Sequence, residues 1–175
     1  MMEKYLGCRI EQFGKIFEFG GGYGSLCHLI HRLGFSGKYL IADLPPFSAL
    51  QRYYLSALDN PVREEECSEP QGIVLTNQLE GDAMERQRSL TCVGLFIATW
   101  SLSEAPLSVR EQTIPHLENY EAFFIAYQEN FDGMDNMDYF QHFTRKFPEV
   151  EWEDFEIPVL PGHRYLMGKR KNSVS

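Results

Sequence analysis

The stretch from Phe17 to Leu26, FEFGGGYGSL, places four glycines within five residues, directly after a short apolar run. The run KIFEFG (15–20) predicts a strand, and apolar residues at helical spacing over 23–33 predict a helix that ends at Gly34. Glycine adopts positive φ readily and lets a ligand approach the backbone, while the start of a helix presents unpaired N–H groups. A strand, a glycine turn and a helix in this order indicate a nucleotide-binding loop.

The spacing of the glycines discriminates between the nucleotides that such a loop can bind. The dinucleotide fingerprint GxGxxG, counted from Gly20 or from Gly22, puts its third glycine on Ser25 or on Cys27. A phosphate-binding P-loop also fails, because no lysine follows the last glycine. Glu18 stands two residues before the GxGxG, where a carboxylate repels phosphate but suits a cationic amino group. These features favour S-adenosylmethionine, which has an ammonium, a sulfonium and no phosphate.

Length and composition fit a single domain over 1–175, with a short N-terminal extension over 1–14. The 175 residues, 43% of them hydrophobic, are enough to bury one core. The net charge of −9 argues against a nucleic-acid partner, because phosphate binding needs clustered Lys and Arg. No segment has the apolar length of a signal peptide or a membrane span, so we expect a cytoplasmic protein without a membrane partner. The absence of CxxC pairs predicts no metal site and reduced thiols at Cys8, Cys27, Cys67 and Cys92.

Hydrophobic periodicity alternates between strands and helices along the rest of the chain. Further strands are predicted at 37–44, 72–78, 92–100 and 120–128, and helices at 48–58, 80–89, 108–117 and 137–147. The polar segment 59–71 is predicted to be a surface connection, and the continuous apolar run 92–100 is predicted to be the sheet centre. No helix separates 152–159 from 163–169, so these strands should pair as an antiparallel hairpin. The expected fold is α/β, a doubly wound, mostly parallel, Rossmann-like sheet with a C-terminal antiparallel hairpin.

The chain resembles class I S-adenosylmethionine-dependent methyltransferases over nearly its whole length, through the motif EFGGGYG, Asp43 in LIADLPP and the antiparallel last strand. Within that group, EFGGGYGSL, DLPPFSALQRYYL and ATWSLSEAP are most similar to sugar O-methyltransferases of polysaccharide or natural-product pathways. The resemblance implies an enzyme that methylates a hydroxyl of a sugar or another small molecule. The alternative is a non-catalytic S-adenosylmethionine-binding module, or a partner subunit of a methyltransferase.

The resemblance also implies a set of cofactor contacts. It implies that the glycines approach the methionine part, that Glu18 orders the loop or meets the amino group, and that Asp43 accepts hydrogen bonds from both ribose hydroxyls. A structural alternative for Asp43 is a helix cap. The predicted cofactor-binding residues are Glu18, Gly20, Gly21, Gly22, Gly24, Asp43, Leu44, Asn77, Thr99 and Trp100.

Residues after the second, third and fourth strands complete this predicted site. Leu44 is expected to pack on the adenine, and a polar residue after the third strand is expected beside it. Asn77 or Gln78 suits that role, and Asp82 is a competing choice. Trp100, at the end of the fourth strand, borders the methyl donor in this interpretation, although it suits the core equally well.

Two side chains, Glu104 and His163, are the candidates for catalysis. Methyl transfer mainly needs a positioned acceptor, and a base assists when the acceptor is a hydroxyl. The alternatives are a helix cap for Glu104 and a structural role for His163. The acidic run 128–136 offers ligands for hydroxyls or a cation, or is a solvated loop. Members of the resembled family commonly carry an N-terminal helical extension over the acceptor, whereas only the segment 1–14 precedes the first strand here. Three alternatives follow: a homo-oligomer or a partner subunit completes the acceptor pocket, the chain is a fragment, or the acceptor site is open.

Overall fold

The chain is built around an eight-stranded sheet. A computed structural model describes residues 2–63, 71–89 and 92–171. The strands are β1 (Lys15–Phe19), β2 (Lys38–Ala42), β3 (Val62–Arg63), β4 (Gly72–Thr76), β5 (Gly94–Thr99), β6 (Ala122–Gln128), β7 (Asn130–Phe131), β8 (Met134–Asp135), β9 (Val150–Glu156) and β10 (His163–Arg170). The helices are α1 (Met2–Leu6), α2 (Ser25–Arg32), α3 (Pro45–Ala57), α4 (Asp82–Ser89), α5 (Ser101–Glu104), α6 (Leu107–Thr113) and α7 (Asn136–Arg145), with 3₁₀ turns at Ile10–Gln12 and Ile114–His116.

The strand order confirms the predicted topology. The main sheet runs β3-β4-β2-β1-β5-β6-β10-β9, and β7 and β8 form a separate two-stranded ribbon. Every neighbouring pair from β3 to β6 is parallel. β10 is antiparallel to both β6 and β9, so the C-terminal hairpin inserts its last strand between two strands of the opposite direction. The sheet is therefore mostly parallel, with one antiparallel strand.

Helices cover both faces of this sheet, because successive strand residues point to opposite sides. On β1, Ile16 belongs to a core with residues of α1, α2 and α3, whereas its neighbour Phe17 belongs to a second core with residues of α4 and α7. All five residues of β2 and of β4 are buried. This double burial explains why their sequences read as continuous apolar runs rather than as alternating ones.

The boundaries of several elements differ from the predictions. α3 begins at Pro45 rather than at Ser48, because proline suits the first turn of a helix, where its missing N–H has no intrahelical partner. α6 ends at Thr113, since Pro115 cannot continue an α-helix and lies in the following 3₁₀ turn. The segment predicted to be a connection contains β3, which pairs with β4. Its residues 64–70, including Cys67, lie outside the described part of the chain.

Candidate functional site

A cavity of about 630 Å³ opens at the carboxyl ends of the central strands. The chain runs outward from β1 through β2 to β4 and then crosses to β5 on the other side of β1, so β1 and β5 flank the switch point. Ligands of open α/β sheets bind in this position, and the volume lies within the range of small-molecule sites. The lining residues are Phe19, Gly20, Gly22, Ala42, Asp43, Leu44, Phe47, Asn77, Gln78, Leu79, Thr99, Ser101, Glu104, Ala105, Pro106, Val109 and Gln112.

The structure brings seven of the predicted site residues to this cavity and leaves five outside its lining. Those that line it are Gly20, Gly22, Asp43, Leu44, Asn77, Thr99 and Glu104. Those outside the lining are Glu18, Gly21, Gly24, Trp100 and His163. The side chain of the competing candidate Asp82 lies outside the described part of the structure.

The glycine loop has the conformation that its sequence suggested. Gly20, Gly22 and Gly24 have φ of 72°, 56° and 96°, values that only glycine adopts without strain. A Cβ added to Gly20 would overlap the side chain of Ser101, whereas nothing lies within 4 Å of the place where a Cβ of Gly22 would stand. The backbone at Gly22 is therefore open to a ligand, while Gly20 and Gly24 shape the turn.

Asp43 connects the end of β2 to the glycine loop. Its Oδ1 accepts a hydrogen bond from the Leu44 N–H at 2.8 Å, and its Oδ2 accepts bonds from the Gly22 N–H at 3.1 Å and from Gln51 Nε2 at 2.8 Å. Burial raises the pKa of Asp43, and these hydrogen bonds oppose that rise. The Gly21 backbone is a fourth hydrogen-bond donor to Asp43. A carboxylate accepts about four hydrogen bonds, so a ligand hydroxyl would share or replace one of these donors.

Gln51 of α3 is a site residue that sequence reasoning missed. It is fully buried, and its Nε2 donates both to Asp43 and to the Gly22 carbonyl oxygen, each at 2.8 Å. It shares the buried side of α3 with Ser48 and Leu55. A glutamine among the core positions of a helix was the signal available in the sequence, because buried polar groups are retained where hydrogen bonds satisfy them.

Glu18 lies beneath the loop and not in the cavity. Its carboxyl is 1% exposed, and Oε2 accepts a hydrogen bond from the Tyr39 hydroxyl at 2.9 Å. A Cβ added to Gly21 would stand 3.1 Å from Oε2, which shows how closely the loop covers the carboxyl. Of the two roles that the resemblance left open for Glu18, ordering the loop agrees with this position, and direct contact with a ligand amino group does not.

Burial raises the pKa of Glu18 to about 7, from an ordinary value of 4.5. Between these two values the folded chain binds more protons than the unfolded chain, so stability is lost as the pH rises from 4.5 to 7. We expect the free energy of unfolding to fall from pH 5 to pH 8, and to fall less in Glu18→Gln, which keeps an acceptor for Tyr39. Urea unfolding at both pH values measures the difference, and equal pH dependence in the two proteins would contradict the buried, protonated carboxyl.

Trp100 and His163, two predicted site residues, bind each other. The indole Nε1 donates to His163 Nδ1 at 2.7 Å, and the rings meet edge to face. Because Nδ1 accepts this bond, the neutral imidazole carries its proton on Nε2 and is not poised as a base. Trp100 also has φ 64°, a strained value for a bulky residue. This turn at the end of β5 directs α5, with Ser101 and Glu104, to the cavity.

Glu104 lies at the edge of the cavity on α5. Its side chain is exposed, and its carboxylate accepts a long hydrogen bond of 3.4 Å from Gln128 Nε2. Its backbone N–H bonds to the carbonyl oxygen of Trp100, as in a first helical turn. Two neighbours position the same turn, because Ser103 Oγ donates to the Trp100 carbonyl and Ser101 Oγ donates to the Phe19 carbonyl.

A buried arginine supports this edge of the cavity. Arg110 of α6 is 0% exposed, and its guanidinium donates to the carbonyl oxygens of Ser103 and Ala105 and to Asn136 Oδ1 at 2.5, 2.8 and 2.8 Å. Burial lowers the pKa of Arg110, although the Tyr139 ring lies 4.6 Å from the guanidinium carbon. Asn136 in turn donates to the Gln128 carbonyl at 2.9 Å. These bonds join α5 and α6 to the end of β6.

We expect Asn136→Ala to lower the free energy of unfolding by about 2 kcal/mol, because it leaves a buried guanidinium N–H and a carbonyl without partners. Urea unfolding followed by fluorescence measures this loss. Gln141→Ala, an exposed change on the same helix, should stay within about 0.5 kcal/mol of the parent. If Asn136→Ala lowered the free energy of unfolding as little as Gln141→Ala, the contact between Asn136 and Arg110 would contribute nothing to stability.

The acidic run after β6 forms structure rather than an open ligand site. Glu129 lies 3.4 Å from Arg164, and Asp135 caps α7 by accepting from the Asp138 N–H at 3.0 Å. Asp132 and Gly133 have positive φ at the turn between β7 and β8. In the described part of the chain, no three His, Cys, Asp or Glu side chains converge to hold a metal ion, and no helix combines the length and apolarity that a membrane crossing needs.

The fold is the Rossmann-like fold of class I methyltransferase structures. No protein-family model and no curated protein matches the sequence. Solved structures with the same fold include an O-methyltransferase family protein from Burkholderia thailandensis, with a TM-score of 0.64, 12% identity and coverage of 94% of this chain and 53% of that protein. This chain thus spans about half of that neighbour.

Two further neighbours match most of both chains. An rRNA methylase from Streptococcus thermophilus has a TM-score of 0.64 and 12% identity, and the match covers 96% of this chain and 93% of that one. Magnesium protoporphyrin IX methyltransferase from Synechocystis, with bound S-adenosylmethionine, has a TM-score of 0.58 and 13% identity, with coverage of 93% and 72%. These neighbours act on different acceptors, so the similarity establishes the fold and leaves the acceptor open.

Proposed function

We propose that this chain binds S-adenosylmethionine and transfers its methyl group to a hydroxyl oxygen of a sugar or another small molecule. The observation that carries the proposal is the arrangement of Gly22 and Asp43 around one end of the cavity. An open glycine backbone and a carboxylate in the lining beside it suit a ligand that has a ribose and no phosphate. The fold shared with the Synechocystis enzyme, which was solved with bound S-adenosylmethionine, supports the same choice.

The residues of the chain fit this cofactor along the length of the cavity. Asp43 would hold the ribose, and Leu44 and Phe47, both more than 40% exposed beside it, offer apolar surface to the adenine. The polar end of β4, where Asn77 lines the cavity, is within the same region. The Gly20–Gly22 backbone would border the methionine part. Phe47 was not predicted, and its position one helical turn after Asp43 was the available signal.

When bound, the cofactor supplies an electrophilic methyl group, whose bond to sulfur breaks as a bond to the acceptor oxygen forms. The chain contributes position and a proton acceptor. Thr99, Ser101 and Glu104 all line the cavity, and we place the acceptor beside Glu104. The Glu104 carboxylate would accept the hydroxyl proton as the new bond forms.

Calorimetric titration tests the cofactor directly. We expect S-adenosylmethionine and S-adenosylhomocysteine to bind and NAD not to bind, because the loop lacks the GxxG step with which the dinucleotide fingerprint holds a pyrophosphate. Binding of NAD alone would refute the proposal. A chain that binds S-adenosylhomocysteine but methylates no member of a panel of sugars and phenols would instead be a non-catalytic module or a partner subunit. Glu104, the proposed base, is exposed, and for this reason the test includes the second candidate function, a non-catalytic module or partner subunit.

A further inference from the structure

The charges that face the cavity point to the class of methyl acceptor. Of the described residues that line it, the charged ones are Asp43 and Glu104, and both are acids. Among these described lining residues there is no lysine, arginine or histidine. A phosphate or carboxylate on an acceptor would therefore meet negative charge without a compensating cation, which is unfavourable in a partly desolvated site.

Two arginines near the carboxyl end of β6 are already engaged in other contacts. The Arg110 guanidinium is fully buried against two carbonyl oxygens and Asn136. Arg164, at the start of β10, pairs with Asp154 at 2.9 Å and with Glu129 at 3.4 Å. Neither guanidinium lines the cavity, and redirecting either would break these contacts. The net charge of −9 adds a weaker field of the same sign.

The acceptor end of the cavity is also mainly apolar. The lining residues that follow Glu104 in the chain are Ala105, Pro106 and Val109, with Gln112 as the remaining polar side chain. Such a lining packs against an apolar ring or chain and offers few partners to a compound with many hydroxyls. Glu104 is the group there that can receive a proton from a hydroxyl or attract a cation.

We infer that the acceptor is an uncharged or cationic compound with an apolar ring or chain and a reactive hydroxyl, and that phosphorylated, carboxylated and nucleic-acid acceptors are disfavoured. This inference rests on the proposed function and narrows it. It places sugar nucleotides outside the accepted class. It also separates this chain from an enzyme that methylates rRNA, although the fold is shared.

Three phenols of similar size whose para substituents carry different charges test the inference. Tyramine is cationic, tyrosol is neutral and 4-hydroxyphenylacetate is anionic. We expect the chain, with and without S-adenosylhomocysteine, to bind the anionic phenol at least about tenfold more weakly than the other two in calorimetric or NMR titrations. Equal or tighter binding of the anion would overturn the inference, and so would the failure of all three to bind.

Two lysine variants show whether the cavity itself sets this preference. Gln112→Lys places a cation in the lining and should reduce or reverse the preference. Ser108→Lys adds the same charge at an exposed position of the same helix, outside the lining, and should leave the ranking unchanged. Equal effects of both would assign the preference to the overall charge and overturn the inference. Titration of S-adenosylhomocysteine into the same samples tests the proposed function separately, because the phenols can be ranked without the cofactor.

Discussion

Replacing Asp43 by alanine is expected to weaken the binding of S-adenosylhomocysteine by roughly 1 to 3 kcal/mol, or about 5- to 150-fold. The change removes the carboxylate that would accept hydrogen bonds from the ribose. It also removes the acceptor of the Gly22 N–H, which holds the loop at the cavity. Isothermal titration calorimetry measures the change in affinity.

Glu85→Ala is the matched control, because it also removes one exposed negative charge but lies on α4 outside the lining. Its affinity for S-adenosylhomocysteine should equal that of the parent. Unchanged affinity in the Asp43 variant would remove this residue from the site. Circular dichroism of both variants establishes that the fold persists.

The Gln51→Leu variant tests whether cofactor affinity depends on the position of the Asp43 carboxylate, because the carboxylate itself remains in this variant. The leucine fills a similar volume but gives up both hydrogen bonds of the Gln51 amide, to Asp43 and to the Gly22 carbonyl. If Gln51 positions the carboxylate, affinity should fall in this variant although Asp43 remains. Hydrogen exchange at Gly22 in the ligand-free chain should also become faster, because its N–H bond depends on the position of Asp43.

The fold was predictable because its signals are local. Strand β1, the glycine turn and α2 follow one another within eighteen residues, from Lys15 to Arg32, and each has the expected apolar period. The terminal hairpin followed from the missing helix between its strands. The structure added that β10 lies between β6 and β9. Short elements such as β3 and α5 were missed, because two to four residues carry too little periodicity.

The site was predictable where the backbone itself forms it. The glycines and Asp43 stand at strand ends, so topology alone brings them to the cavity. Side-chain direction was not predictable in the same way. Trp100 and His163 are 63 positions apart, and only the assembled sheet shows that they bind each other. Glu18 lies buried beneath the loop, and only this position shows that ordering the loop, rather than contact with a ligand amino group, is the implied role that agrees with the structure.

Long-range partners explain the remaining omissions. Arg110 appeared in the sequence as one charge on a surface helix, yet it is buried by contacts with α5 and with Asn136, which is 26 positions away. Because a buried guanidinium requires several acceptors, its presence fixes the geometry around Glu104. The position of Glu104 is therefore set by residues that carry no motif of their own.

Replacing Glu104 by glutamine is expected to lower the turnover number about 100-fold, with the affinity for S-adenosylhomocysteine changed less than about twofold. Glutamine keeps the size of the side chain and a hydrogen-bond acceptor but cannot take up the hydroxyl proton. Glu104 is exposed, so the change should leave stability within about 0.5 kcal/mol of the parent. Turnover is measured as S-adenosylhomocysteine release with the best acceptor among the phenols and sugars.

Glu111→Gln provides the matched control for this variant. Glu111 is an exposed acid on the neighbouring helix α6, lies outside the lining and pairs with Lys146 at 2.5 Å. Glu111→Gln changes the net charge of the chain by the same amount as Glu104→Gln. A loss of turnover seen only in Glu104→Gln therefore cannot come from the change in net charge. Glu104→Asp should recover part of the turnover that Glu104→Gln loses, because aspartate restores the carboxylate. The recovery should be partial because the aspartate side chain is one methylene shorter. A normal rate in Glu104→Gln would exclude Glu104 as the base and leave the chain to act by positioning the acceptor alone.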